Sequence, residues 1–259
     1  MTTTNLPKLG GWRQETPDSQ DRIFNTSLPK IIVLESATNG TVDLRKWCSP
    51  VENQRDVGSC VGNSVVGGLE LLELRDGLPF EDLSRLFVYY NSRLMHNDAG
   101  NDNGTYIRMA MGTLSSLGVC SEKKWPYDTS KVFFRPTWGA YRDAYAHKID
   151  GYYRIDGAGD ERIQLIKRAL ESHHPVVFGC TVDAAFQSVG FDGIVKMPGS
   201  IRTNPGGHAM LIVGYKDAGQ TLIVRNSWGN GWGDNGYCYM PSDYLDATNA
   251  NDFWVPTRV

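Results

Sequence analysis

The sequence has few cysteines, no long apolar run and no long run of charge of one sign. Five cysteines are scattered over 259 residues, too few for a miniprotein held together by disulfides. The longest apolar stretches, such as 31–34 and 209–213, are far shorter than the roughly 18 residues of a membrane-spanning helix. The amino terminus has no apolar segment typical of a Sec signal. We therefore expect no membrane partner, and a protein that is cytoplasmic or exported by a non-classical route.

The charge balance is close to neutral. With 26 basic and 29 acidic side chains, the formal net charge is −3, so the basic excess of a nucleic-acid-binding protein is missing. The hydrophobic fraction of 41% suffices for a packed core and excludes disorder as the overall state. The length allows one large domain or two smaller ones that share an interface.

The chain changes character twice along its length. Residues 1–40 contain three prolines and a Gly-Gly pair, which indicates an extended arm with one strand-like patch at 31–34. Residues 41–125 are mainly helical by apolar periodicity, and residues 126–259 are mainly strand-like. This segregation predicts an α+β protein whose two halves enclose a cleft.

The individual elements follow from periodicity and from glycine or proline at their ends. The predicted helices are 60–76, 83–94, 106–117 and 161–172, and the predicted strands are 175–180, 209–215, 221–225 and 237–240.

Cys60 is the first candidate catalytic residue. It follows Gly58-Ser59 and opens a predicted helix, where the helix dipole and the free N–H groups favour a thiolate. A histidine within about 3.5 Å would hold that thiolate as an ion pair and later protonate a leaving amine.

Three further residues complete a possible catalytic group. His208 lies at the start of one predicted strand and Asn226 at the end of the next. Two antiparallel neighbours would bring them together, so that the amide fixes the imidazole tautomer. Gln54 lies six residues before Cys60, where its amide N–H would stabilise an oxyanion together with the Cys60 N–H.

At these positions the chain resembles the papain-like cysteine peptidases, the family of papain and the cathepsins. The resemblance covers roughly residues 42–255. Its most specific part is the string Asn-Ser-Trp-Gly-x-Gly-Trp-Gly from Asn226, together with the Cys/His/Asn set that is a known signature of this family. The matching residues are Gln54, Gly58-Ser59-Cys60, Ser64, His208-Ala209, Val213-Gly214-Tyr215, 226–229, 231–233 and 235–237.

The resemblance implies the fold and the roles of the site residues. It implies a mainly helical left half and a β-barrel-like right half, with the active site in the cleft between them. Cys60 would be the nucleophile, His208 the general acid and base, Asn226 the residue that orients His208, and Gln54 part of the oxyanion hole. Neither a metal nor an organic cofactor is required.

The resemblance also implies a peptide-binding surface. The stretch Asp102-Asn103-Gly104-Thr105 is similar to the family's cleft-lining loop, which pairs with an extended peptide. The pocket for the second residue upstream of the cut would take an apolar or aromatic side chain. The implied substrate-binding residues are Gly104, Thr105, Tyr106, Ile107, Gly207, Ala209 and Trp228.

Several positions depart from the family pattern. Val57 and Asp102 occupy the two positions that usually form a disulfide, Val61 replaces an aromatic residue, and Arg55 replaces a glycine. These departures resemble the prokaryotic branch of the family. The other four cysteines are expected to be free, although a Cys48–Cys120 pair stays open.

The long helical pro-domain of the eukaryotic members is missing from residues 1–40. Our hypothesis is that this arm acts as a short pro-segment that covers the cleft of a zymogen. Two alternatives to a monomeric endopeptidase stay open: an acyl-transferring, transglutaminase-like thiol enzyme, and a silent peptide-binding protein. His173-His174 and the 98–104 loop lack the spacing of metal sites, so no metal is expected.

Overall fold

The computed structural model describes residues 7–25, 40–199, 201–246 and 248–258. The strand predicted at 31–34 lies outside these residues. The helices are α1 (Cys60–Arg75), α2 (Arg85–Met95), α3 (Ile107–Ser116), α4 (Trp138–Ala144), α5 (Gly159–Glu171) and α6 (Ala184–Gln187).

Helix α1 is the central element of the helical half. Every residue from Cys60 to Glu73 is buried, because α2 and α3 pack on one side and the sheet packs on the other. The buried carboxylate of Glu70 is paired with the buried guanidinium of Arg85 at 3.0 Å, so the charge of Glu70 inside this interface is compensated. Burial on all sides fixes the position of Cys60 at the amino terminus of α1.

The second half is built on one antiparallel sheet. Its strands are β1 (Val42–Asp43), β2 (Gly151–Ile155), β3 (Val176–Val182), β4 (Gly206–Lys216), β5 (Thr221–Arg225), β6 (Tyr237–Pro241) and β7 (Ala250–Thr257). The order is β2-β7-β3-β4-β5-β6, with β1 paired to β4. Strands β2 and β6 end this order and do not pair with each other within the described ranges, so the sheet is open and the expected barrel-like closure is not formed.

The α+β class and the eight predicted elements that fall on described residues are confirmed, with ends shifted by a few residues. The sequence patterns do not predict helices α4 and α6 or strands β1, β2 and β7. The sequence pattern does not predict β7 because the strand is irregular. Asp252 within it has a left-handed backbone angle of φ 56°, and Pro256 lies near its end. Helix α4 is short and is capped by Thr137, whose side chain accepts a hydrogen bond from the Ala140 N–H.

Residues 7–25, hereafter the arm segment, are extended and cross the cleft between the two halves. The arm segment forms isolated bridges from Trp12 to Thr105 and from Ile23 to Arg154, which link it to both halves. All five cysteines are free, so the Cys48–Cys120 pair is not formed. No helix among the described residues is long and apolar enough to cross a membrane.

Candidate active site

The imidazole and the amide of the site are held together by neighbouring strands. His208 is the third residue of β4, and Asn226 directly follows β5, its antiparallel neighbour. The His208 Nε2–H donates a hydrogen bond of 2.7 Å to Asn226 Oδ1. Trp228 stacks on the imidazole with ring centroids 4.6 Å apart. The bond between histidine and asparagine is therefore shielded from water, and the opposite nitrogen, Nδ1, has no hydrogen-bond partner among the described atoms.

Cys60 begins α1 and is fully buried. The Ala209 N–H donates to its Sγ at 3.4 Å, which places the thiol next to the residue that follows His208. Burial raises the pKa of Cys60 to about 12 and lowers the pKa of His208 to about 4. The expected thiolate is thus not the favoured form here, since loss of water outweighs the helix amino terminus.

Gln54 is oriented by two contacts. Its Oε1 accepts a hydrogen bond of 2.7 Å from the Ser227 hydroxyl, and its Nε2 donates to the Val57 carbonyl at 3.0 Å. The same amide group donates to the main-chain carbonyl of Lys8 in the arm segment at 3.2 Å. The donor predicted to stabilise an oxyanion is therefore occupied by a carbonyl of the arm.

The arm segment lies directly on the nucleophile at Gly11. A Cβ at this position would be 2.6 Å from both Cys60 Sγ and the Gly58 carbonyl oxygen, so only glycine fits. The Gly11 carbonyl accepts from the Thr105 N–H at 3.0 Å, the Arg13 N–H donates to the Thr105 carbonyl at 3.0 Å, and the Gly10 N–H donates to the Gly207 carbonyl at 2.8 Å. The arm thus occupies the groove as an added strand would.

The predicted substrate-binding residues mostly line this groove. Thr105 and Gly207 pair with the arm backbone, and a Cβ at Gly104 would overlap the Gly11 carbonyl. The Tyr106 ring lies 4.9 Å from the Arg13 guanidinium carbon. Ala209 contacts Cys60 and Trp228 covers His208, as described above. Ile107 differs: it is the first residue of α3 and is fully buried in the hydrophobic core.

Sequence reasoning misses a second group of residues beside the catalytic cluster. Trp12 Nε1 and the Glu15 N–H both donate to Asp252 Oδ2, at 3.0 and 2.9 Å. Arg108 binds Asp21 through two hydrogen bonds of 2.7 Å each. Asp252 carries no recognisable signal because the sequence patterns do not predict β7 itself, whereas Trp12 directly follows the Gly-Gly pair of the arm.

Asp102 replaces one half of the usual disulfide. Its carboxylate accepts from the Gly58 N–H at 3.0 Å and from the Tyr89 hydroxyl at 2.5 Å, and it pairs with the Lys8 ammonium at 2.6 Å. Hydrogen bonds therefore join the two loops that a disulfide would otherwise join. Among the described residues no group of three acidic, histidine or cysteine side chains is placed to hold a metal ion.

The comparisons with known proteins agree with this geometry. The family model described as papain family cysteine protease matches residues 38–253. An uncharacterised peptidase C1-like protein of Acanthamoeba polyphaga mimivirus is 36% identical, with 100% of this chain and 90% of that protein covered. The chain belongs to the papain family of cysteine proteases.

Relatives within the papain family include solved structures. Xylellain, a cysteine protease from Xylella fastidiosa, is 31% identical with a TM-score of 0.83, and each chain is covered over 100% of its length. Human cathepsin O is 30% identical over 73% of this chain and 56% of its own length. As a papain-like cysteine peptidase the protein is a hydrolase, and its substrates are peptides or proteins.

Proposed function

We propose that the protein is a cysteine endopeptidase that cleaves peptide bonds through a thioester acyl-enzyme. The observation that carries the proposal is the cluster formed by three elements. The hydrogen-bonded pair of His208 and Asn226 lies beside Cys60 at the start of α1, and the Gln54 amide faces the same groove. All of these residues and the arm segment come from one chain, so a monomer contains the complete site.

In the open cleft, Cys60 Sγ attacks the substrate carbonyl carbon as its proton is held by His208 Nδ1. The Gln54 Nε2–H and the Cys60 N–H would donate to the developing oxyanion. His208 then gives its proton to the leaving amine as the C–N bond breaks, which leaves a thioester. Water attacks the thioester with His208 as base, and release of the carboxylic acid restores the thiol. Asn226 keeps Nε2 protonated, so that Nδ1 faces the sulfur.

We further propose that the arm segment is the pro-segment of a zymogen. Gly11 lies on Cys60 Sγ, whereas the carbonyl bound by Gln54 is that of Lys8, three positions earlier. In the docked arm the residue at the nucleophile is therefore different from the residue at the oxyanion donor. The attacking geometry for amide hydrolysis needs both at one carbonyl, so the docked arm resists cleavage while it excludes substrate.

The change Gly11→Ala in the full-length chain tests both proposals. Its methyl group would collide with Cys60 Sγ and with the Gly58 carbonyl, a clash that costs about 1–3 kcal/mol. We expect both iodoacetamide labelling of Cys60 and peptide hydrolysis to rise about tenfold or more over the wild type. Labelling in the variant should remain fast well below pH 8, because an opened thiol regains its ion pair with His208.

The matched control is Gln14→Ala, which changes an exposed arm residue and should leave both rates unchanged. Cys60→Ala added to Gly11→Ala should abolish hydrolysis. Hydrolysis that survives the loss of Cys60 would refute the catalytic proposal. Equal labelling and hydrolysis in the wild type and in Gly11→Ala would refute the pro-segment proposal. Peptide mass spectrometry separates modification of Cys60 from modification of the half-buried Cys48.

A further inference from the structure

The hydroxyl group of Tyr127 contacts both ends of the loop that carries the proposed oxyanion donors. It donates to the Gln54 main-chain carbonyl at 2.9 Å and lies 2.5 Å from the Ser59 hydroxyl. Gln54 supplies one donor through its side-chain amide. Ser59 precedes Cys60, so their peptide group contains the other donor, the Cys60 N–H. One hydroxyl group therefore links the two residues that set the separation of the two donors.

The protons of these contacts have one consistent order. A main-chain carbonyl only accepts, so the single proton of the Tyr127 hydroxyl is used on Gln54. The Ser59 hydroxyl therefore donates to the Tyr127 oxygen. The Ser59 oxygen in turn accepts from Asn63 Nδ2 at 3.1 Å. The hydrogen bonds thus run in one direction from α1 to the Gln54 carbonyl, an arrangement in which each bond strengthens the next.

The other contacts of Gln54 fix it mainly relative to the sheet. Its N–H donates to the Ser227 carbonyl at 2.8 Å, and its Oε1 accepts from the Ser227 hydroxyl at 2.7 Å. Ser227 follows the strand that leads to Asn226, whereas Cys60 belongs to α1. Within the loop the Val57 N–H reaches the Gln54 carbonyl at 3.2 Å, which is longer than the bond from Tyr127. The Tyr127 hydroxyl therefore supplies the direct side-chain link between Gln54 and the start of α1.

The middle member of this chain of hydrogen bonds is fully buried. Ser59 has no exposed surface, and Asn63 is buried as well. A buried hydroxyl that loses its acceptor is destabilised, so loss of the Tyr127 hydroxyl would favour a shift of Ser59. Because Ser59 is bonded to Cys60, that shift would move the Cys60 N–H relative to the Gln54 amide.

We propose that Tyr127 is a positioning residue for the peptidase reaction, and that with Ser59 it sets the distance between the two oxyanion donors. It acts through Gln54 and Ser59 and not on the reacting atoms. The proposal rests on the proposed peptidase function, in which both donors bind one developing oxyanion. Stabilisation of that charge needs both donors within hydrogen-bond distance of the same oxygen, and a displacement of about 1 Å can cost about a hundredfold in rate.

The test compares two reactions of the same thiol in the full-length Gly11→Ala variant, with and without Tyr127→Phe. Peptide hydrolysis forms an oxyanion at the substrate carbonyl. Iodoacetamide labelling joins Cys60 Sγ to carbon and releases iodide, so no oxyanion forms. We expect Tyr127→Phe to lower kcat for hydrolysis about tenfold or more, and to change the labelling rate by less than about threefold. A docked arm competes with substrate, so altered docking would change KM and not kcat.

The matched control is Tyr141→Phe in the same parent. The Tyr141 hydroxyl also donates a hydrogen bond, of 2.7 Å to Asn91 Oδ1, between α4 and α2. Its loss should leave both rates unchanged. Ser59→Ala removes the middle hydroxyl of the chain. Because the two hydroxyls act as one unit, Ser59→Ala, Tyr127→Phe and the double variant should lower kcat by a similar factor.

The outcomes distinguish this proposal from the one on which it depends. An unchanged kcat in Tyr127→Phe, or equal losses of hydrolysis and labelling, would overturn the positioning role alone. Separate effects of Ser59→Ala and Tyr127→Phe that multiply in the double variant would overturn the coupling between them. Absence of hydrolysis in the Gly11→Ala parent while Cys60 is labelled would overturn the peptidase function, and the role of Tyr127 with it.

Discussion

The arm segment binds the cleft in two different ways along its length. From Lys8 to Gly11 it is held mainly through the main chain, by Gln54, Gly207 and Thr105. From Trp12 to Asp21 it is held mainly by side chains that reach buried acids and arginines. The first stretch covers the nucleophile through shape, and apart from the Lys8 ammonium its contacts come from the main chain. The contacts of the second stretch depend on its own side chains.

The comparison separates the stretch that covers the nucleophile from the stretch that holds the arm in the cleft. Glycine at position 11 allows close approach to Cys60 but contributes no side-chain contact. The residues that follow contribute the buried indole and the paired charges, so the free energy of docking comes mainly from there. We therefore expect substitutions in the second stretch to change the docking of the arm by amounts that follow burial. The effects are measured as the rate of Cys60 labelling, with Gln14→Ala as the common control.

Trp12→Ala should have the largest effect. The indole is buried and donates to Asp252, and removal of a buried tryptophan costs about 3–5 kcal/mol. Labelling of Cys60 should rise by more than about a hundredfold. Circular dichroism should be unchanged, since the residue belongs to the arm. An increase of less than about threefold would show that the main-chain contacts of the first stretch are sufficient for docking.

Glu15→Gln should have the next largest effect, and that effect should depend on pH. In the docked arm, burial and the neighbouring Asp252 raise the pKa of Glu15 from 4.5 to about 7, although Arg108 and Arg154 oppose the shift. Docking therefore takes up a proton. It is strongest below pH 4.5, weakens as the pH rises towards 7, and is constant above that value. Between pH 4.5 and 7 the fraction of wild-type molecules whose arm is undocked should therefore rise about tenfold or more.

The ratio of labelling rates, wild type over Glu15→Gln, isolates this titration because Cys60 chemistry is common to both proteins. The ratio should rise between pH 4.5 and 7 and then level off. A flat ratio would exclude Glu15 as the group that couples docking to pH.

Asp21 acts in the opposite sense: burial opposes ionisation of its carboxyl group, but Arg108 and Arg154 lower its pKa. Its contribution is therefore lost only as the pH falls below its ordinary value of 3.8.

Asp21→Asn should have a smaller effect, tested at pH 7. The carboxylate is 5% exposed and accepts both hydrogen bonds of the Arg108 fork. Charge-assisted pairs of this kind contribute about 1.5–3 kcal/mol, so Cys60 labelling should rise about tenfold. Asp18→Asn, at an exposed neighbour, is the matched control. Equal rates of Cys60 labelling in Asp21→Asn and Asp18→Asn would show that the pair of Asp21 and Arg108 does not stabilise the docked arm.

Arg13→Ala should have the smallest effect. Its guanidinium is 39% exposed where it pairs with Asp98 at 3.1 Å. Exposed pairs are worth about 0–1 kcal/mol, so labelling should rise by no more than about fivefold. A larger increase would show that the contact with Tyr106 contributes more than an exposed cation–π pair does.

The sequence determined the class of fold and the identity of the family. Periodicity located α1 with Cys60 as its first residue, since its apolar residues recur at helical spacing and Gly77 and Pro79 follow its end. The motifs that carry the family resemblance contain Gln54, His208 and Asn226, and the structure brings the last two within 2.7 Å. The barrel-like closure was not realised, because sheet closure depends on which strands pair and that is a property of the whole chain.

Only the tertiary structure decided the burial of the site and the position of the arm. A thiol at a helix amino terminus predicts a thiolate, yet burial in the folded protein raises the pKa of Cys60 instead. The hydrogen bond from Trp12 to Asp252 joins residues separated by 240 positions. Local patterns report propensity and spacing, whereas burial and the approach of distant charges depend on the folded packing. That is why Asp252 could not be recognised from the sequence.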